Sequence, residues 1–186
     1  MSDMQMFHPD KVITVDFETF FSKKEKVGFS HQNTEEYIRH PRWLTHGVGV
    51  KKGFNQTRWI YGAKNVKAFF DKVDFSGHVM LAHNAKFDGL VLSHHYNTRP
   101  MGWVCTRSLA YMLYGNSLRS ASLKALTELL LPGEIKDQTA LFSVEGKRRL
   151  SKEEAHELGV YCIGDCDKTH MLYNIFYTSM QRRAAA

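Results

Sequence analysis

Proline is scarce in this chain, four residues in 186, and cysteine scarcer still, three in all and no two of them in a CxxC pair. An odd, unspaced set of thiols excludes a disulfide framework and points to a reducing compartment, with Cys105 and Cys162 read as ordinary buried thiols. Long apolar runs are missing too. Stretches such as Ala125 to Leu131 fall far short of the roughly 20 residues that a membrane span needs, and Met1 to Asp10 has neither the basic nor the apolar region of a signal peptide. No repeat, low-complexity tract or linker interrupts positions 11 to 180. Acids are the minority charge, 19 against 25 Lys and Arg, for a formal net charge of +6, which suits a polyanionic partner. These absences leave one cytoplasmic globular domain without membrane contact, over residues 1–183, followed by Ala184 to Ala186 as a disordered tail or cloning scar.

What is present reads as alternating strands and helices. Lys11 to Thr19 is dense in β-branched residues and reads as a buried strand that ends on two acids. Phe20 to Ser30 is loop-like and basic, and Asn33 or Thr34 caps a short helix that Pro41 terminates. Trp43 to Lys51 and Thr57 to Tyr61 form a hairpin around Gly53-Phe-Asn55. Helical spacing runs over Asn65 to Phe75, followed by a strand at His78 to His83, a helix at Ala85 to Tyr96 and a short strand at Trp103 to Cys105. Helices follow at Arg107 to Tyr114 and Ser120 to Leu131, then a polar loop from Asp137 to Arg149. A last helix opens on the capping box Ser151-x-x-Glu154 and runs to about Ser179. A three-strand meander followed by strand and helix alternation is an α/β layer architecture, a mixed sheet with helices on both faces.

Several acids resist a purely structural reading. Asp16 and Glu18, two apart in an apolar strand, point to one face while Val15 and Phe17 point to the other, and paired carboxylates there repel unless a cation lies between them. Asp88 sits where an apolar strand gives way to a helix, the junction at which α/β proteins place functional groups. Its bland alternative is a first-turn acid that complements the helix dipole. Tyr161 and Asp165 share one helix face at i, i+4. Asp167 is two residues beyond Asp165, and about 200° of helix rotation separates them, so both cannot face one site.

Val-Asp16-Phe-Glu18-Thr, His-Asn84-Ala-Lys-Phe-Asp88 and Tyr161-x-x-x-Asp165 resemble, in order and spacing, the three motifs of the DEDD superfamily of 3′-5′ exonucleases in its tyrosine-bearing branch. From Val12 to Tyr173 the chain is most similar to the proofreading domain of phage and bacterial family A DNA polymerases. The resemblance implies an RNase H-like α/β fold with a mixed five-stranded sheet flanked by helices. It implies that Asp16, Glu18, Asp88 and Asp165 hold two divalent ions, Mg²⁺ or Mn²⁺, and that Tyr161 orients the attacking water. It places Thr19, Asn84 and Phe87 against the terminal nucleotide, and it selects Asp165 over Asp167. The implied substrate is the 3′ end of single-stranded DNA, shortened to nucleoside 5′-monophosphates in proofreading or DNA processing, with a DNA polymerase as partner in cis or in trans.

Two rivals stay open, an exoribonuclease of the same superfamily and a nucleic-acid-binding module that does not cleave. The chain holds no polymerase motifs, so a domain cut from a larger polymerase and a separate nuclease, bacterial or phage, are both compatible with it. A zinc site from Cys162, Cys166 and His170 is disfavoured, since ligands at i, i+4 and i+8 spread over about 12 Å of helix. His94-His95 has no ligand spacing, and the basic runs Lys23 to Lys26 and Lys147 to Arg149 read as solvated loops.

Overall fold

The computed structural model describes residues 3–133 and 139–185. Five strands alternate with helices: β1 (Ile13–Thr19), α1 (Thr34–Ile38), β2 (Thr45–Lys52), β3 (Arg58–Tyr61), α2 (Ala63–Phe70), β4 (Val79–Ala82), α3 (Ala85–Tyr96), β5 (Gly102–Cys105), α4 (Thr106–Tyr114), α5 (Leu123–Leu130), α6 (Thr139–Ser143) and α7 (Lys152–Ala184). The sheet order is β3-β2-β1-β4-β5. β1 lies at its centre, antiparallel to β2 and parallel to β4, and the mixed sheet with helices on both faces is the RNase H-like arrangement expected. α2 and α3 cover one face, while α7 lies across β1, β2 and β3 on the other, backed by α4 and α5.

Side-chain alternation divides the core. Val15 and Phe17 of β1, with Met80 and Ala82 of β4, pack with Phe70, Val91 and Tyr96 under α2 and α3. Val79 and Leu81 of β4 point the other way, toward Tyr173 of α7. A third cluster, with Ala110, Leu126, Leu172 and Phe176, joins α4, α5 and α7. Asp16 faces α7, where the Cys162 thiol donates to its backbone carbonyl at 3.3 Å.

Both expected caps form. The Asn33 side chain accepts from Glu35 and Glu36, and Ser151 with Glu154 closes a reciprocal box that starts α7. Differences from expectation fall at element ends and in one connection. α2 ends at Phe70 rather than Phe75, and α7 runs past Ser179 into the expected tail, to Ala184. The loop expected over Asp137 to Arg149 contains α6, whose Leu141 docks against the aromatic cavity described below. Five residues carry too little periodicity for the helix to be legible without that docking. Asp137 and Gln138 of that expected loop, with Met1, Ser2 and Ala186 of the termini, lie outside the described residues.

The seat of α7 is set by small residues. Gly49 stands opposite Asp16 and Gly47 opposite Glu18 in the β1–β2 register. A Cβ on Gly49 would lie 2.7 Å from Cys166 Sγ, and one on Gly159 of α7 would lie 2.5 Å from the Trp59 ring. A Cβ on Gly47 would meet both that ring, at 2.3 Å, and the backbone oxygen of Ile60, at 2.7 Å. A side chain can swing aside, but the paired strand cannot. Gly47→Ala is therefore expected to cost about 1–3 kcal/mol through overpacking, read as a fall of several degrees in Tm by circular dichroism. Gly102→Ala, where an added Cβ has nothing within 4 Å, should leave Tm nearly unchanged.

Candidate metal centre and nucleotide cavity

β1 and β4 pair only through Ile13 with Met80 and Thr14 with Leu81. Beyond that point the strands separate, and the side chain of Asp88, in the first turn of α3, enters from the carboxyl end of the sheet. Its Oδ1 accepts the Phe17 backbone N–H at 3.2 Å, so the acid takes the place of a neighbouring strand. From the opposite face α7 brings Tyr161 and Asp165. Four carboxylates on three elements thus converge: the charges of Asp165, Glu18 and Asp16 all act on Tyr161, and those of Asp16, Asp165 and Asp88 on Cys166. Ligand atoms of Asp16, Glu18 and Cys162 lie within 4.8 Å of one another.

Burial and the nearby charge of Asp16 hold the Asp88 carboxyl well above the usual carboxylate range. Burial, reinforced by Asp165, Glu18 and Asp16, pushes the Tyr161 phenol far up as well. Tyr161 is therefore a protonated phenol at neutral pH, a hydrogen-bond donor. Burial likewise raises the Cys162 thiol, leaving it an S–H donor. The donors available to an ion are hard carboxylate oxygens, the set that suits Mg²⁺ or Mn²⁺.

Asp167 is elsewhere. It accepts the Thr57 hydroxyl at 2.6 Å and pairs with the Lys51 ammonium at 2.9 Å, so the 200° divergence from Asp165 holds in the fold. The zinc trio does not assemble either. Cys162 turns to Asp16, while His170 Nδ1 meets Thr14 Oγ1 at 3.2 Å. Three of the basic residues have structural partners: Lys23 pairs with Glu145 at 3.5 Å, Lys147 pairs with Glu154, and Arg148 lies 5.0 Å over the Phe20 ring while donating to the Arg42 carbonyl.

Beside Glu18 opens a cavity of about 300 Å³, lined by Thr19, Phe21, Phe29, Tyr37, Phe87 and Leu141 among others. A bulge between Glu18 and Thr19 marks the point where β1 leaves its regular register. Phe87 stacks near-parallel on Tyr37, with ring centroids 6.0 Å apart, and Phe29 meets both edge-on at 5.1 Å. The Tyr37 phenol donates to the Phe20 carbonyl at 2.7 Å, and Thr19 Oγ1 lies 2.7 Å from the same phenol oxygen. The phenol has one proton, so Thr19 must donate to Tyr37, and its own oxygen is left as an acceptor at the cavity. Asn84 precedes α3 in the left-handed region, φ 73°, a conformation that asparagine tolerates, and its carboxamide does not cap the helix. Of the residues expected at the nucleotide, Thr19 and Phe87 line this cavity. Asn84 stands at the base of α3, four residues before Asp88.

Sequence reasoning passed over Phe29, Tyr37 and Leu141. Tyr37 lies in the short helix expected after Asn33, whereas Phe29 and Leu141 lie in segments read as loops and carried no signal.

Residues 59–181 match the family described as 3′-5′ exonuclease. The chain belongs to that family, in the DEDD superfamily that its motifs resemble. The matched range holds Asp88, Tyr161 and Asp165, while Asp16 and Glu18 precede it. Among solved structures, one described as the apo form of a nuclease is 18% identical, with TM-score 0.66, over 99% of this chain and 80% of its own. Brucella melitensis NrnC bound to pGG is 19% identical, with TM-score 0.64, over 99% of this chain and 79% of its own. Trypanosoma brucei RNase D is 13% identical, with TM-score 0.61, over 91% of this chain and 58% of its own. At these identities the likeness is one of fold. Among curated protein sequences none matches the chain. The family uses divalent metals, and no helix among the described residues is long and apolar enough to cross a membrane.

Asp88 supplies a stability test. A buried carboxyl whose pKa is raised destabilises the folded protein progressively as pH climbs above the unfolded value, near ~4, and in full above the raised one. Asp88→Asn keeps an oxygen acceptor for Phe17 N–H and removes the charge. In EDTA at pH 8 the variant should melt about 2–4 °C above the parent, and the gap should narrow as pH falls and Asp88 in the parent takes up a proton, closing near about pH 4, where the unfolded carboxyl is protonated too.

Proposed function

We propose that the chain hydrolyses the terminal phosphodiester bond at the 3′ end of single-stranded DNA, releasing nucleoside 5′-monophosphates, and serves proofreading or DNA processing beside a DNA polymerase, in cis or in trans. The observation that carries this reading is the convergence of Asp16, Glu18, Asp88 and Asp165 from three separate elements around a protonated Tyr161, with an aromatic cavity the size of a nucleoside alongside.

In this reading Asp16, Glu18, Asp88 and Asp165 hold two divalent ions, Mg²⁺ or Mn²⁺. When bound, such ions lower the pKa of a coordinated water and stabilise charge on the attacking and leaving oxygens. The residues of the chain do the rest. Tyr161 donates its phenolic hydrogen bond where the water must be aligned, and it is too weak an acid to serve as the base. Phe87, with Tyr37 and Phe29 behind it, offers aromatic faces to the terminal nucleoside, and the Thr19 oxygen, fixed as an acceptor by Tyr37, receives a sugar hydroxyl. Asn84 presents an amide near the scissile phosphate. The cavity surrounds one nucleoside, which favours a frayed or single-stranded end.

The second reading is a 3′-5′ exoribonuclease, favoured by the fold shared with Trypanosoma brucei RNase D. The two readings differ in whether a 2′-hydroxyl is accepted at the sugar.

Gel analysis of 5′-labelled single-stranded DNA and matched RNA, with Mg²⁺, Mn²⁺ or EDTA, tests both. A metal-dependent ladder that shortens from the 3′ end is expected, faster on DNA. A faster RNA ladder would replace the first reading with the second, and intact substrate with every metal despite measurable binding would leave only a binding module. Asp165→Asn should lower the rate at least about 100-fold. Asp167→Asn should change it by no more than a few-fold, because Asp167 is engaged by Lys51 and Thr57.

A further inference from the structure

On the flank of α3 away from Phe87, an open groove of about 630 Å³ runs between the helix and the segment leading into β5. Its apolar floor is formed by Leu90, Pro100 and the half-buried indole of Trp103. Exposed Lys86 and Arg99 stand at its rim, and its lining includes no acid. Gly89 of α3 lies against the indole, and a Cβ there would make ordinary van der Waals contact with the ring at 3.4 Å.

At about 100° per residue along α3, Phe87 turns to the nucleotide cavity, Asp88 to β1, and Lys86, Gly89 and Leu90 to the groove. The cavity and the groove therefore flank a single helix, with the carboxylate cluster between them at its N-terminal end. α3 is about 10 Å across, so a strand whose 3′ nucleoside fills the cavity comes to the groove about two or three nucleotides upstream of the scissile bond.

We propose that this groove is the track for the upstream part of the substrate, a single-stranded polynucleotide with one base stacked on Trp103 and its phosphates beside Lys86 and Arg99. This rests on the exonuclease reading and adds the substrate's path to it. An indole accepts any base, and two cations on a floor without acids bind phosphate in a salt-dependent, sequence-independent way.

Two substrates and one optical measurement test the track. A single-stranded oligonucleotide of about eight nucleotides reaches the groove, and a dinucleotide does not. Trp103→Ala and, as a surface change that leaves packing alone, Arg99→Glu should each lower the ratio of kcat/KM for the oligonucleotide to that for the dinucleotide about ten-fold, through KM. In EDTA, where nothing is cleaved, the oligonucleotide should quench tryptophan fluorescence, and the larger part of that quenching should vanish in Trp103→Phe. An unchanged ratio in both variants, or quenching that survives in Trp103→Phe, overturns the track. If the parent protein hydrolyses neither substrate with any metal, the exonuclease reading fails separately, and the quenching in EDTA still decides whether the groove holds single-stranded DNA.

Discussion

Gly49 stands opposite Asp16 in the sheet, and the hydrogen that serves as its side chain lets Cys162 and Cys166 of α7 rest directly on β2. The carboxylate cluster depends on that approach. Tyr161 and Asp165 belong to a helix outside the strand ladder, so their distance from Asp16 and Glu18 is set by how α7 packs on the sheet and by the few side-chain bonds it makes there, such as Cys162 to Asp16 and His170 to Thr14. Gly47 and Gly159 extend the same close contact around Trp59. Interiors packed to crystal density cannot absorb an added methyl group without moving something, so these three glycines fix the geometry of residues they never touch.

The cluster works against stability. Asp88 is buried beside Asp16 and ionises reluctantly; Tyr161 is held protonated by its burial and by the same charges. Like charges gathered at the carboxyl ends of strands are costly in an empty site and favourable around a cation. The fold carries that cost on a sheet buried on both faces, with apolar side chains from β1 and β4 on each side of it. The same parting of β1 and β4 that admits Asp88 also opens the space beside Glu18 and Thr19.

α3 organises the remainder. Asn84 precedes it, its first turn carries Phe87 and Asp88, and its two flanks line the aromatic cavity and the basic groove. A substrate that crosses the N-terminus of this helix would meet an apolar pocket for its last nucleoside, the acid cluster at the scissile bond and a cationic groove upstream, in that order.

Local pattern determined much of this. Alternation and β-branching marked β1 and placed Asp16 and Glu18 on one face; the Ser151 capping box marked the start of α7; and i, i+4 spacing put Tyr161 with Asp165 and set Asp167 apart. Each of these follows from contacts within a few residues, where covalent geometry fixes direction. Tertiary structure alone decided the rest. Leu141 and Phe29 reach the cavity from segments with no periodicity, and α6 is too short to announce itself without what it docks against. The Thr19 hydroxyl is turned by a tyrosine eighteen residues away, and the groove joins α3 to the approach of β5. The pairing of distant residues depends on how helices pack on the sheet, and that packing is settled only when the whole core closes.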